Sequence, residues 1–391
     1  MPTVISFPDR ARGFVRERLT EARVAMQMSR AELAREVNVT GQAIGYYESG
    51  DRKPDMDLLL KIAAVLKQPV TFFLHPSSVS DAKPNTRFFR SVGPKSNRIN
   101  VALDVRTKWL WEMVHFVVRY VPLPKPSLPE TPPPRLPSGY TFDEIENIAT
   151  LTRRHWGLGD GPIANMTALL ETHGVIVSRL EIGSQKIDSF SCWIDGRPYV
   201  LLGSDKGSYS RSRYDAAHEL CHLLLHGDVS QADLESKRVR ERLEREANWF
   251  AGAFLLPRDS LFSEFYSTRS SHLLGLKRRW GVSMQAIAHR CRDIGAIHED
   301  DYIAFRKQMS ARKQLSVEPL DDVPLEQAKL LLKAWKVLVE KKIIRDNGLE
   351  DHIGFSLEMV SQFCEAIPFS ARPAPPAEAV TLFDRLDQNE G

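Results

Sequence analysis

The sequence predicts an α+β fold: an all-α N-terminal domain, a mixed domain with a small β-sheet, and a C-terminal helical extension. Short helical patterns without strands run from about Arg16 to Leu74. The period changes farther along, where VIVSRLEI, FSCWID and RPYVLLGS are β-branched or alternating runs typical of strands. Helical patterns return after Asp259, and two amphipathic stretches follow Val317. These changes of period divide the chain into its predicted regions.

The composition is that of a soluble protein with sizeable cores. The chain has 391 residues, of which 42% are apolar, and this is enough for two or three domains. No apolar run approaches the roughly eighteen residues of a membrane span, and the start MPTVISFPDRARGF lacks the apolar core of a secretion signal. The four cysteines are scattered without a CxxC pair, which argues against a disulfide framework. We therefore expect a cytoplasmic protein without a membrane partner.

The N-terminal region, residues 1–78, carries the start and stop signals of short helices. Ser29 followed by Glu32 predicts a capping box at the start of SRAELAREV. The run NVT then breaks the helix, and GQAIGYYESG predicts a second short helix that ends at Gly50. This spacing predicts a helix-turn-helix, and the apolar positions in LLLKIAAVL predict a further helix that covers the pair.

A basic and then proline-rich connection, residues 79–139, follows. The stretch VALDVRTKWLWEMVHFVVRYV combines positive charge with apolar residues at helical intervals, which favours a bridging helix over a nucleic-acid surface. The stretch PLPKPSLPETPPPRLPSG has too many prolines for a helix or strand, so we expect an extended spacer. Residues 140–314 form the predicted α+β domain, and residues 315–391 are expected to contain accessory helices and a flexible tail.

The segment YDAAHELCHLLLH, residues 214–226, contains His218, Glu219 and His222 in the spacing HExxH. At 3.6 residues per turn, positions four apart lie on one face of a helix, so both imidazoles can reach one Zn²⁺ with Glu219 beside them. The rest of the segment is nearly all apolar, so these polar groups must be satisfied inside the protein. Backbone hydrogen bonds in a core helix are the alternative to a metal ion.

A predicted third ligand, Glu246, favours the metal site. In ERLEREANWFAGAFLLP, apolar residues recur at three- and four-residue intervals and place Glu246 on the buried stripe, whereas Glu244 falls on a different face with Asn248. A buried carboxylate needs a cation or a proton, and one that faces the histidine pair would complete a His₂Glu set with an open position. His226 is a rival ligand, but three histidines from one helix would spread along its axis, so we expect His226 to orient the site or to pack.

The segments HELCHLLLHGD and EREANWFAGAFLLP together resemble the ImmA/IrrE metallopeptidases. Over roughly residues 140–310, the resemblance implies a zincin-like metallopeptidase domain that cleaves peptide bonds. It implies that His218, His222 and Glu246 bind the metal and that Glu219 is the general base. Zinc is the expected ion, with manganese as the alternative.

The run MSRAELAREVNVTGQAIGYYESGDRKPDMDLLLKIAAVL resembles the XRE helix-turn-helix domains, which are related to the Cro and lambda repressors. The resemblance implies binding to double-stranded DNA, with the second helix of the motif in the major groove. A homodimer on a palindromic site would double the contacts. The positions that the resemblance assigns to DNA contacts are Arg30, Thr40, Gln42, Ala43, Tyr46, Arg52 and Lys53.

Two functions are consistent with this fusion. The first is a DNA-binding regulatory metallopeptidase that cleaves a transcriptional repressor or antitoxin in a stress or mobile-element response. The second is a transcription regulator whose peptidase-like domain is a sensor or binding module without turnover. The intact HExxH motif together with Glu246 favours the first. The C-terminal helices carry no catalytic pattern, and a hairpin packed on the peptidase is favoured over a surface for oligomerisation, a partner or sensing.

Overall fold

The chain folds as an α+β protein with a four-stranded sheet, which confirms the predicted fold class. Helices precede the sheet in the N-terminal region and surround it in the rest of the chain. Within the part of the chain that is described, no helix is both long enough and apolar enough to cross a membrane. The computed structural model describes residues 13–79, 87–89, 97–133, 138–180, 189–204, 207–230, 232–344 and 348–364, so the expected C-terminal tail lies outside the described residues.

Well-formed caps delimit the N-terminal helices. The Ser29 hydroxyl accepts the backbone N–H of Glu32 at 3.2 Å, and the Glu32 carboxylate accepts the N–H of Ser29 at 2.5 Å, so the predicted capping box is present. Gly50 ends the third helix with a φ of 85°, a conformation that costs glycine little. The elements are α1 (Arg16–Ala25), α2 (Arg30–Glu36), α3 (Gly41–Ser49) and α4 (Met56–Val65), followed by a 3₁₀ turn at Val70–Leu74.

The strands are β1 (Arg87–Phe89), β2 (Ile176–Leu180), β3 (Ser189–Ile194) and β4 (Arg197–Gly203), in the order β1-β3-β4-β2. Strands β2, β3 and β4 come from the three runs predicted from the sequence. Asp195 and Gly196 join β3 to β4 with φ angles of 50° and 69°, as a two-residue hairpin turn requires. Strand β1 pairs antiparallel with β3, and β2 runs parallel to β4.

The remaining helices lie on both sides of this sheet. Helix α5 spans most of the stretch that was predicted to be a bridging helix, and α8 and α9 contain the two motif segments. The helices are α5 (Asn97–Val118), α6 (Phe142–His155), α7 (Met166–Thr172), α8 (Tyr209–Leu225), α9 (Lys237–Leu255), α10 (Arg258–Glu264), α11 (Ser270–Trp280), α12 (Met284–Asp293), α13 (Glu299–Ala311), α14 (Leu330–Glu340), α15 (Gly348–Ile353) and α16 (Leu357–Cys364).

The two faces of the sheet enter two different hydrophobic cores. Phe190, Tyr199 and Leu201 belong to a core shared with the N-terminal helices, α5 and α14 to α16. Val177 and Val200 belong to a second core shared with α6 to α13. Because successive residues of a strand point to opposite faces, the sheet is covered by apolar side chains on both sides. The helix-turn-helix region is therefore packed into the molecule through the first core.

An aromatic cluster shows how the first core joins distant parts of the chain. The ring of Phe72, in the 3₁₀ turn, lies 5.4 Å from that of Trp109 in α5 and 5.8 Å from that of Phe355 near the C-terminus. Phe116 of α5 stacks on Trp335 of α14 with ring centroids 6.0 Å apart. The C-terminal helices therefore pack against the N-terminal region and α5 as well as against the sheet.

The proline-rich segment lies along the α+β domain. Residues 122–133 contain no helix or strand, but their polar groups bind the neighbouring elements. The N–H of Ser127 donates to the carbonyl of His173 at 3.0 Å, and the Thr131 hydroxyl donates to the carbonyl of Leu224 at 2.7 Å. We call residues 122–133 together with residues 138–140 the strap. These contacts hold the predicted extended spacer against the α+β domain.

A buried ion-pair cluster fastens α1 to α5. Arg18 is 1% exposed and pairs with Glu21 at 2.9 Å and with Glu112 at 2.6 Å. Glu21 in turn accepts hydrogen bonds from Lys108 at 2.5 Å and from the indole N–H of Trp109 at 3.1 Å. Each buried charge therefore has partners of opposite sign, which offsets the cost of removing it from water.

Replacing Glu112 with Ala should lower the free energy of unfolding by roughly 3–5 kcal/mol, because it removes a partner from the buried Arg18 guanidinium. Chemical denaturation followed by circular dichroism measures the loss. Replacing Glu17 with Ala is the control, since its partner Arg16 is exposed, and the change there should be about 1 kcal/mol or less. Equal losses in the two variants would contradict the role given to the buried pair.

Candidate metal centre

Helix α8 carries the HExxH residues through the second core. Its start is capped by Ser208, whose hydroxyl accepts the N–H of Arg211 at 3.4 Å. His218, Glu219 and His222 are at most 2% exposed. The Nε2 atoms of His218 and His222 lie 3.1 Å apart, because residues four apart share one face of the helix. The structure thus brings the two predicted histidine ligands together.

The third group beside this pair is Glu244 of α9. Its Oε2 atom lies 3.5 Å from Nε2 of His218, and its Oε1 atom lies 3.8 Å from Nε2 of His222. One ligand atom from each of these residues lies within 4.8 Å of the others. The Glu244 side chain is 22% exposed, so the cluster is reached from solvent at this side.

Glu246, the carboxylate predicted to complete the ligand set, lies beside His226 and outside the cluster of His218, His222 and Glu244. Its Oε2 atom lies 3.0 Å from Nε2 of His226, and its Oε1 atom pairs with Arg242 at 3.1 Å and accepts the N–H of Tyr140 at 3.2 Å. Positions 244 and 246 lie about 200° apart around a helix, so both side chains cannot face α8 in the same way. The apolar stripe correctly predicted that Glu246 is buried, but burial does not specify the partner.

In the sequence, the spacing of Glu244 and Asn248 indicates which face of α9 meets the histidines. Asn248 lies four residues after Glu244, and its side-chain oxygen lies 3.2 Å from Nδ1 of His218. Two polar residues at this spacing share a face, and that face meets the histidines. Cys221, a candidate for metal binding by residue type, is fully buried and belongs to the second core.

The donor set suits a cation. Since Nδ1 of His218 faces the oxygen of Asn248, the ring proton lies on Nδ1 and the lone pair on Nε2. Nδ1 of His222 likewise has a partner, Nδ1 of His226 at 2.8 Å, and Nε2 of His222 points to the cluster. Two imidazole lone pairs and one carboxylate at these distances repel one another unless a cation lies among them. His₂Glu is a donor set found in three-ligand metal sites.

Two serines of β3 hold the side chain of Glu219. The Ser189 hydroxyl donates to Oε1 at 2.6 Å, and the Ser191 hydroxyl donates to Oε2 at 2.7 Å. These serines share one face because they are two residues apart in a strand. Burial raises the pKa of Glu219 to about 7, against the opposing effects of His218 and the two hydroxyls. Neither serine was predicted to belong to the site, although the alternation in SFSCWI places both on one face of the strand.

Comparison with protein families assigns the two parts of the chain. Residues 170–292 match the family described as the IrrE N-terminal-like domain, and residues 19–73 match the family described as helix-turn-helix. The chain joins an XRE-type helix-turn-helix domain to an ImmA/IrrE-type peptidase domain. It is thus a DNA-binding regulator with a peptidase-like domain. A comparison with curated proteins gave no match.

A large cavity adjoins the candidate metal centre of the ImmA/IrrE-type domain. It has a volume of about 1240 Å³, and its wall includes Tyr214 and Asn248, the partner of His218. The Tyr214 hydroxyl donates to the carbonyl of Asn248 at 2.7 Å and so links α8 to α9. Farther out, Phe142 stacks on Trp249 with ring centroids 3.8 Å apart. The cavity has room for several side chains of a polypeptide beside the His218 end of the cluster.

The XRE-type domain places most of the predicted DNA positions around α3. Thr40 caps this helix, since its hydroxyl accepts the N–H of Ala43 at 3.1 Å. Gln42 is exposed and donates to the hydroxyl of Tyr46 at 2.8 Å. The Arg52 guanidinium lies 5.0 Å from the centre of the Tyr46 ring, and both Arg52 and Lys53 are exposed. Their roles in DNA contact remain predictions.

Arg30 lies at the start of α2 and is held by an acidic side chain from α3. Its Nε–H donates to Glu48 at 2.5 Å, and Glu48 also pairs with Arg23 at 2.7 Å. The Arg30 side chain is 57% exposed. The ion pair with Glu48 holds the Arg30 side chain beside α3. Contact between Arg30 and a DNA phosphate remains a prediction.

Replacing Glu244 with Gln should weaken Zn²⁺ binding to the whole chain, because a neutral amide replaces the carboxylate closest to both histidines. Competition with a chelator measures the dissociation constant. Glu241→Gln on the same helix is the control, since Glu241 is largely exposed and pairs with Lys237. Unchanged affinity in Glu244→Gln, with loss in Glu246→Gln alone, would restore Glu246 as the third ligand.

Proposed function

We propose that the protein is a regulatory metallopeptidase that acts near DNA and cleaves a transcriptional repressor or an antitoxin in a stress or mobile-element response. The observation that carries this proposal is the convergence of His218, His222 and Glu244, with Glu219 next to them on α8. The helix-turn-helix domain in the same chain adds the link to gene regulation.

The residues of the centre have distinct parts in peptide hydrolysis. His218, His222 and Glu244 would hold the metal ion, zinc with manganese as the alternative. When bound, this ion supplies Lewis acidity toward a peptide carbonyl and lowers the pKa of water. Glu219 accepts the proton of the attacking water and passes it to the leaving amine. The hydroxyls of Ser189 and Ser191 orient the Glu219 carboxylate while it acts.

The packing supports a substrate that is itself close to DNA. The XRE-type domain, α5 and the sheet share one hydrophobic core, so binding of the helix-turn-helix to DNA also brings the metal centre there. A protein bound at a neighbouring site would meet the peptidase at a raised effective concentration. A repressor meets this description, since it occupies DNA and its loss changes transcription.

The environment of Glu219 favours a second candidate function, a sensor or binding module without turnover. Glu219 is fully buried, and each carboxylate oxygen accepts a serine hydroxyl. Because the carboxylate is removed from solvent, a water molecule must first reach it before Glu219 can act as a base. In the second candidate this does not occur, and metal or peptide binding at the centre alters DNA binding alone.

Replacing Glu219 with Gln should abolish cleavage and leave Zn²⁺ binding intact, because the neutral amide cannot accept a proton from water and none of the three proposed ligands changes. Cells that contain the natural protein are compared with cells that contain the variant, and new protein termini are sought by mass spectrometry. Glu241→Gln is the matched control and should retain all cleavage products. If the natural protein and Glu219→Gln yield the same termini but differ in transcription, the sensor candidate replaces the peptidase.

Replacing Arg52 with Ala should weaken binding to all duplexes alike, because the resemblance assigns this exposed guanidinium to the DNA backbone. The slope of log K against log salt concentration should become shallower by about 0.9, the effect of one lost phosphate contact. Binding is measured on a duplex selected from a random pool by the natural protein. Lys307→Ala is the control, since Lys307 is exposed on α13 in the peptidase-type domain. A change in sequence preference without a change in slope would assign Arg52 to a base instead.

A further inference from the structure

His226 and Glu246 form a buried polar pair outside the three-residue cluster. His226 is fully buried and Glu246 is 3% exposed. Nδ1 of His226 lies 2.8 Å from Nδ1 of His222, and its Nε2 lies 3.0 Å from Oε2 of Glu246. A continuous series of contacts therefore runs from Glu246 through His226 to His222.

The contacts of Glu246 set the positions of the protons along this series. Its Oε1 atom accepts the N–H of Tyr140 and pairs with Arg242, which is the environment of an ionised carboxylate. A carboxylate only accepts hydrogen bonds, so Nε2 of His226 carries the donated proton. A neutral imidazole has one N–H, so Nδ1 of His226 then carries a lone pair.

The positions of the ring protons on His222 follow in the same way. Since Nδ1 of His226 accepts, the proton between the two rings belongs to Nδ1 of His222. Its Nε2 atom is then left with a lone pair, and this atom lies 3.1 Å from Nε2 of His218 and 3.8 Å from Glu244. The opposite proton arrangement would put a hydrogen on Nε2 and prevent it from binding a cation.

We propose that Glu246 and His226 are positioning residues that fix His222 in its Nδ1–H tautomer and direct its Nε2 lone pair to the metal ion. The proposal rests on the proposed metallopeptidase function and adds to it two residues that do not touch the ion. Hydrogen-bond partners of this kind orient a ligand ring and increase its basicity. Glu246, predicted to be a ligand, acts through two histidines instead.

The strap packs closely against the Glu246 carboxylate. Gly139 of the strap has a φ of +79°, and a Cβ atom there would collide with Oε1 of Glu246 and lie 2.5 Å from Cδ of Arg242. The strap therefore approaches the carboxylate as closely as a glycine allows, and the N–H of Tyr140 then reaches Oε1. The corresponding partner of His218 is the amide oxygen of Asn248, which lies 3.2 Å from its Nδ1.

The first test compares Zn²⁺ affinity in the whole chain for His226→Leu and His226→Gln, by competition with a chelator. Leu cannot accept the proton of His222, so we expect affinity to fall about 10- to 100-fold. Gln carries an amide oxygen for His222 and an amide N–H for Glu246, so it should restore most of the affinity. His272→Leu, outside the centre, is the control. Equal affinity in the natural protein and His226→Leu would overturn the proposal.

The second test reads the tautomer of His222 in the natural protein. Nitrogen chemical shifts of ¹⁵N-labelled histidines in the metal-free whole chain report which ring nitrogen carries hydrogen, and the His222 signals are assigned by their loss in His222→Gln. We expect hydrogen on Nδ1 of His222 and on Nε2 of His226. Hydrogen on Nε2 of His222 would overturn the proposal even if His226→Leu does not fold.

The outcomes separate this proposal from the proposed function. If the natural protein binds no Zn²⁺ or Mn²⁺, the metallopeptidase function fails and the positioning role fails with it. If the natural protein binds metal and cleaves its substrate while His226→Leu binds equally well, the positioning role alone fails. Neither readout, affinity or tautomer, requires turnover.

Discussion

The need to satisfy polar side chains on an apolar, buried helix governs the structure around α8. Burying a polar group without a hydrogen bond costs several kcal/mol of folding free energy. Each polar side chain of the HExxH motif is therefore hydrogen-bonded to a partner. Glu219 takes its partners from β3, and His218 takes Asn248 from α9. His222 takes His226, which in turn takes Glu246. The contacts that prepare the centre for a cation therefore also fix how the strand, the two helices and the strap pack together.

Strand β3 connects the residues around Glu219 with the DNA-binding part of the chain. Ser189 and Ser191 face Glu219, whereas Phe190 and Cys192 enter the core that contains the helix-turn-helix region. Strand β3 thus contacts the candidate metal centre on one face and the N-terminal core on the other. The buried Arg18–Glu112 pair then fastens the first helix to α5, so the helix-turn-helix region and the sheet pack into one hydrophobic core.

Local patterns predicted much of the fold and two of the three clustered residues. The HExxH spacing placed His218 and His222 together because a helix fixes the relation between positions four apart. Asp195-Gly196 predicted the hairpin because few other residues adopt its backbone angles. The choice between Glu244 and Glu246 depended on how α9 is rotated against α8, and hydrophobic periodicity reports burial without naming the partner. Packing of α14 to α16 on the N-terminal core is a long-range contact that no local pattern contains.

The contacts of Glu246 account for the burial of its carboxylate without a metal ion. With Arg242, the Tyr140 N–H and His226 around it, its charge and both of its oxygens are already engaged. Glu244 keeps one side toward solvent, so its carboxylate costs less to hold without a cation than a fully buried one would. In the proposed centre, Glu244 would bind the ion and Glu246 would position His222, so the two neighbouring carboxylates would have different parts at one site.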